Sequence, residues 1–250
     1  MEQDDSFRKR ILELARTAYY QEYPVFSDFM DLHQLHILHS ISKKELGITL
    51  RLFGGYELAE RQMASFLPDA FSYETEFPMK CLHVKPLALK YAEALTHRDF
   101  LGAVLNLGIQ RSKIGDLVVR ENQAWIFASE GIASFLAGEL CRIRHTAVKT
   151  EVLDHWESFP GPELEEIRGT VASVRLDTVI ALAFSSSRSS LTGLIEGGKV
   201  CVNGVYITSN GYTLKDGDVI SVRSMGKFRF DTVLNQTKKG RYSVRLYRYR

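Results

Sequence analysis

The chain has 250 residues, 45% of them apolar and 25% charged, with only 6 prolines. That content supplies real cores for two or three domains and argues against long disorder. The net charge of +2 is uneven: residues 171–250 hold 13 Lys and Arg against 5 Asp and Glu, while the first 170 hold 19 against 25. A basic C-terminal third behind an acidic body is the footprint of a polyanion-binding module. Cys81, Cys141 and Cys201 form no CxxC pair, so neither a disulfide framework nor a zinc site is indicated. No apolar run approaches 18 residues and the opening MEQDDSFRKR is charged, so the expected location is the cytoplasm, without membrane insertion.

Residues 1–75 read as a mixed α/β N-terminal domain. Phe7, Ile11, Leu14 and Ala15 begin a helical stripe, and Ile48 to Phe53 is a strand. After Gly54-Gly55 the pattern predicts a helix from Tyr56 to Phe66, closed by Pro68. His33, His36 and His39 are spaced by three with no carboxylate in register, and surface histidines explain them better than a metal. Residues 76–155 form a second block: strand Met79 to Pro86, helix Thr96 to Leu107, strands Gly115 to Arg120 and Ala124 to Ala128, helix Ile132 to Ile143 and strand Thr146 to Leu153. The order βαββαβ is that of ferredoxin-like and RNA-recognition-motif folds. Trp125 and Phe127 share one face of the third strand, a pair that is more often core than stacking platform. Arg111 and Lys113 are phosphate candidates after the first helix. His97-Arg98-Asp99 spells the kinase catalytic tripeptide, yet no Gly-rich loop or Asp-Phe-Gly accompanies it, and capping by Thr96 and Asp99 explains it.

Residues 156–170, including SFPGPELEE, read as a linker to a basic domain over 171–250. There Leu176, Val179, Ile180, Ala183 and Phe184 form one apolar helical stripe. Ser187 is an N-cap for a second helix with Leu191, Leu194 and Ile195, stopped at Gly197-Gly198. Val200 and Val202 alternate with polar residues, Asn203-Gly204 signals a hairpin, and Val219 to Val222 is a further strand. The clusters Arg175-Leu176-Asp177, Ser187-Arg188-Ser189, Gly198-Lys199-Val200, Val202-Asn203-Gly204 and Gly217-Asp218 resemble the small RNA-binding domain, or αL motif, of ribosomal protein S-four. Leu191 departs from that pattern, which has a small residue there. The local chemistry nominates Arg175 to fork onto a phosphate, Asp177 to orient a neighbouring arginine, and Ser187, Arg188 and Ser189 at a helix start where phosphate is favoured. Lys199 and Asn203 extend the surface from the strand face opposite Val200 and Val202. Lys227, Arg229, Lys238, Lys239 and Arg241 add charge from a basic C-terminal tail.

The order GGYELAERQMASFLP, LTHRDFLGAVLNLGIQRSKIGDLVV, the S-four-type domain and TKKGR is similar to the bacterial YlmH family over essentially the whole chain. The fold class expected is therefore α+β, in three parts. The resemblance implies a non-catalytic, ribosome-associated RNA-binding factor. Its implied partners are rRNA of the large (50S) subunit and tRNA, in rescue of stalled subunits carrying peptidyl-tRNA. No cofactor and no small-molecule substrate are expected, since no acid, base and nucleophile constellation stands out. Two alternatives stay open: an RNA-modification enzyme of pseudouridine-synthase type, and a division-linked protein scaffold.

Overall fold

A computed structural model describes residues 2–68, 76–156 and 159–250, apart from the side chains of Arg188 and Ser189; the expected boundary at residue 75 falls outside these. The chain divides into two compact units, Met1–Gly161 and Pro162–Arg250. The mixture of helix and strand makes the protein α+β.

The first unit opens with α1 (Glu2–Gln21), whose first turn carries Glu2, Asp4 and Asp5 at the positive end of the helix dipole. It buries Ile11, Ala15 and Ala18. The short strand β1 (Val25–Phe26) leads to α2 (Leu32–Ser40), started by a capping box between Asp31 and Gln34, and to α3 (Lys43–Leu46), ended by Gly47 in the left-handed region. β2 (Thr49–Phe53) and β3 (Met63–Leu67) follow, in a three-stranded sheet of order β1-β3-β2. The helix expected over Tyr56 to Phe66 is not formed. Residues 56–62 are an irregular turn, and Met63–Leu67 pairs with strands on both sides. All five β3 residues are buried, and Ala, Ser and Met among them obscured the strand in the sequence. His33, His36 and His39 lie exposed on α2, with His33 3.1 Å from Asp4.

The central block follows the expected order, except that the helix expected to run to Ile143 ends at Glu139 and Arg142–Ile143 adds a short edge strand. β4 (Met79–Pro86), α4 (His97–Asn106), β5 (Ile114–Arg120), β6 (Gln123–Ser129), α5 (Glu130–Glu139), β7 (Arg142–Ile143) and β8 (Thr146–Leu153) give a sheet of order β5-β6-β4-β8-β7. Counting β4, β5, β6 and β8 as first to fourth, the order is 2-3-1-4 with every neighbouring pair antiparallel, the ferredoxin-like arrangement. Thr96 caps α4 through Asp99, at 2.7 and 2.8 Å, as capping required. Leu82, Val84, Phe100, Val104, Ala124, Ile126 and Leu136 fill the layer between sheet and helices.

The second unit is a six-stranded antiparallel sheet of order β11-β10-β12-β13-β14-β9 with two helices on one face. Its elements are β9 (Leu164–Val171), α6 (Leu176–Ala183), α7 (Arg188–Glu196), β10 (Val200–Val202), β11 (Val205–Tyr206), β12 (Val219–Val222), β13 (Gly226–Gln236) and β14 (Tyr242–Tyr249). The two-residue Asn203-Gly204 turn has positive φ at both positions (48° and 77°), the primed geometry that favours Asn-Gly. Two expectations need correction. Residues 164–170, read as linker, form β9 and pair with β14 along its whole length. The C-terminal residues are not a tail: β13 and β14 are a long hairpin that sends Phe228, Phe230, Val244 and Leu246 into the core, all fully buried. Burial of that apolar set against α6 is what fixes the hairpin. Leu191 is 1% exposed and simply joins the core.

Candidate RNA interface

The turn before α6 is built around Arg175. Asp177, 5% exposed, accepts from its Nε at 3.2 Å and from one terminal nitrogen at 3.4 Å, and takes a further bond from Thr178. The fork thus holds Arg175, whose side chain is 43% exposed, in one orientation; Asp177 orients Arg175 itself. Gly211 lies beside the guanidinium, where an added Cβ would sit 3.8 Å away. The amides of Leu176 and Asp177 donate to the carbonyls of Tyr212 and Asn210, so the first N–H groups of α6 are engaged within the fold. At α7, Ser187 Oγ accepts from Ser190 N at 3.3 Å, making Ser187 the N-cap. Arg188 and Ser189 are the first two residues of α7, and their side chains lie outside the described residues.

The other predicted residues fall into separate groups. Asn203 is turned into the fold: its Nδ2 donates to buried Asp218 at 2.8 Å and its Oδ1 accepts from Val219 N at 2.9 Å. Together with the bond from Lys215 N to Asp218, it clasps β10 to the start of β12, so Asn203 serves the hairpin. Lys199, Lys227 and Arg229 alternate with buried Val200, Phe228 and Phe230, which places them on the sheet face away from α6 and α7. Lys238 and Lys239 occupy the exposed turn between β13 and β14, closed by the Thr237–Arg241 pair. Arg241 reaches back to the Thr170 carbonyl at 2.8 Å. The reading from charge alone missed the tyrosines beneath cations of this hairpin: Lys227 sits 4.5 Å over the Tyr249 ring, and Arg245, which it did not nominate, 5.9 Å over Tyr247. The signal was the alternation of basic and aromatic residues in Arg245 to Arg250.

In the first unit, the two phosphate candidates are already paired. Arg111 donates to the carbonyls of Ile114 and Gly115, and burial pulls its guanidinium down to about 10. Lys113 meets Asp28 at 2.6 Å. Both belong to a joint made by the GGYELAER and KIGD segments. Asp116 accepts from Tyr56 Oη, Glu60 N and Arg61 N at 2.7, 2.8 and 3.0 Å, while Arg61 caps the carbonyls of Ile114, Phe29 and Arg111. Gly55 (φ 98°) lies flat against Phe127, where an added Cβ would stand 2.3 Å from the ring. Phe127 is fully buried among Phe29, Met63, Met79 and Cys81, with Trp156 and Phe159 against it. Burial also pushes the Cys81 thiol up to about 12. Phe127 is therefore core, and the shared motifs here are architecture.

Comparison with known proteins agrees with this layout. Residues 73–157 match the model of the RNA-binding domain proposed for YlmH, and residues 174–220 match the S4 domain, the S-four type named above. A Bacillus subtilis protein, "Ribosome-associated protein quality control protein P2", is 30% identical over 241 residues, 96% of this chain and 93% of its own length. The chain belongs to the YlmH family. A solved YlmH structure, "Cell division protein ylmH from Streptococcus pneumoniae", superposes with a TM-score of 0.53 at 25% identity, covering 64% of this chain and 95% of its own. The matched S4 segment includes Arg175 and Asp177, and no described helix is long and apolar enough to cross a membrane.

Proposed function

We propose that this chain is a non-catalytic, cytoplasmic factor that binds RNA of the large ribosomal subunit together with tRNA, and that it acts in rescue of stalled subunits carrying peptidyl-tRNA. The observation that supports this most is Arg175, oriented by a buried carboxylate and open to solvent, inside an S4 domain of a chain similar end to end to a ribosome-associated quality-control protein. A guanidinium so held engages a phosphate with little further loss of side-chain freedom. Arg188, the first residue of α7, is proposed as a second phosphate contact, since a helix start favours an anion. Lys199, Lys227 and Arg229 add charge on the other face of the sheet. Such surfaces read the shape and backbone of folded RNA more than its sequence.

The test is sedimentation with purified ribosomal subunits over a range of salt. Binding to large subunits with a log–log slope of roughly −3.5 to −4.5 is expected if about five phosphates are neutralised. Arg175→Ala should weaken it about tenfold, the loss of one charge-assisted contact. Binding that ignores salt, or that selects small subunits, would overturn the reading.

A further inference from the structure

The central sheet has a second face that the fold uses only in part: Arg120 donates to the Pro160 carbonyl at 3.4 Å and Trp125 lies edge-on to Phe159, while its lysines stay largely exposed. Leu82, Val84, Ala124, Ile126 and Val148 point to the helices, so the intervening residues point away from them. At one end of that face Met79, Cys81 and Phe127 are sealed beneath the aromatic cluster. The other end carries two rows fixed by the ladder. Val118, Trp125, His83 and Glu151 are directly opposed across β5, β6, β4 and β8. One step along, Arg120 opposes Gln123 and Lys85 opposes Lys149. Arg142 opposes Ala147 on the same face.

Four cations therefore stand on one half-face, with Glu151 the one carboxylate among these positions. Lys85 and Lys149 face each other, a pairing that destabilises a sheet. Glu151 meets them at 3.0 and 2.5 Å, and those two bonds hold its carboxyl down to about 2, so it stays ionised and still leaves the trio with a net positive charge. The lysine side chains are 41% and 59% exposed. Beside them His83 stacks on Trp125 with centroids 4.5 Å apart and planes 10° apart, and Gln123 fixes the imidazole at 2.8 Å. With strands about 4.8 Å apart, the row from Arg120 to Lys149 spans about 14 Å. Repelling cations beside ordered rings suit a polyanion that also carries flat faces.

We infer that this half-face binds an unpaired stretch of RNA. Its phosphates lie along Lys85, Lys149, Arg120 and Arg142, and a base adds to the His83–Trp125 stack. Unpaired RNA is favoured over duplex because only unstacked bases present faces to side-chain rings. The inference rests on the RNA-binding reading above, and it places a contact in a different unit from the S4 domain.

The full-length chain is titrated with a short oligouridylate and, separately, with an RNA hairpin that has no single-stranded tail. Lys85→Ala/Lys149→Ala should weaken oligouridylate binding about tenfold and flatten its salt slope by about 1.4, two single-strand contacts at about 0.7 each. Hairpin binding should stay unchanged, and thermal melting should show no loss of fold, since the lysines repel each other and their bonds to Glu151 are solvent-exposed and contribute little. His83→Ala should also weaken oligouridylate binding, about fivefold or more, with the salt slope intact, because stacking is not ionic. Unchanged oligouridylate affinity in the lysine variant overturns the inference. So does equal loss for both probes, or cross-linking of this face on ribosomes to a protein instead of RNA. A wild-type chain that binds the hairpin alone sinks this inference only; one that binds neither probe sinks the RNA-binding reading too.

Discussion

Asp116 shows how one carboxylate organises a joint. It accepts three hydrogen bonds from Tyr56, Glu60 and Arg61, while burial pulls the half-buried Arg61 guanidinium down and the nearby charges of Asp31 and Asp116 offset that. Asp116→Ala should lower the stability of the first unit by roughly 1.5–3 kcal/mol, the scale for losing bonds to a charged group. Both tryptophans, Trp125 and Trp156, lie in that unit, so urea unfolding followed by tryptophan fluorescence reports it selectively. An unchanged midpoint would mean that the joint carries no energy. The same residue scale is where sequence reasoning is weakest. Arg111, Lys113 and Asn203 have the right chemistry for phosphate, but their partners are 3 to 85 positions away along the chain, and spacing does not disclose them. Arg175 and Asp177 were both named from the sequence, and the bond between them spans only two positions.

At the scale of elements, periodicity carried most of the architecture. Strands such as Met79–Pro86 and helices such as His97–Asn106 declare themselves because one face is apolar and the caps are local. Residues 56–67 misled because apolar positions buried on both faces have no period, and β9 because its charged residues lie at an edge strand. The end of the first unit is the instructive case. The linker expected from residue 156 begins with Trp156, whose Nε1 donates to Gly55 O at 2.8 Å, and includes Phe159, packed on Phe127 and Tyr56. A fragment ending at residue 155 should therefore be less stable than one ending at 161, by on the order of 3–5 kcal/mol for two lost aromatic anchors. Parallel denaturation of the two fragments decides it. Equal midpoints would return these aromatics to the linker.

At the scale of the whole molecule, two compact units on one chain make binding a question of linkage as well as contact. The S4 domain supplies Arg175 and its neighbours, and the central sheet supplies a second cationic face. If both meet RNA on the same particle, the second contact is intramolecular, and its effective concentration is set by the short connection near Gly161 and Pro162. The full chain should then bind large subunits at least about tenfold more tightly than residues 162–250 alone, at one fixed salt concentration. Adding residues 1–161 as a separate chain should not restore the difference, because a free fragment gains nothing from tethering. The full chain should also have the steeper salt dependence, as more phosphates are neutralised. Equal affinity and equal slope for the full chain and the 162–250 fragment would show that the first unit adds no contact there, leaving the S4 domain to act alone.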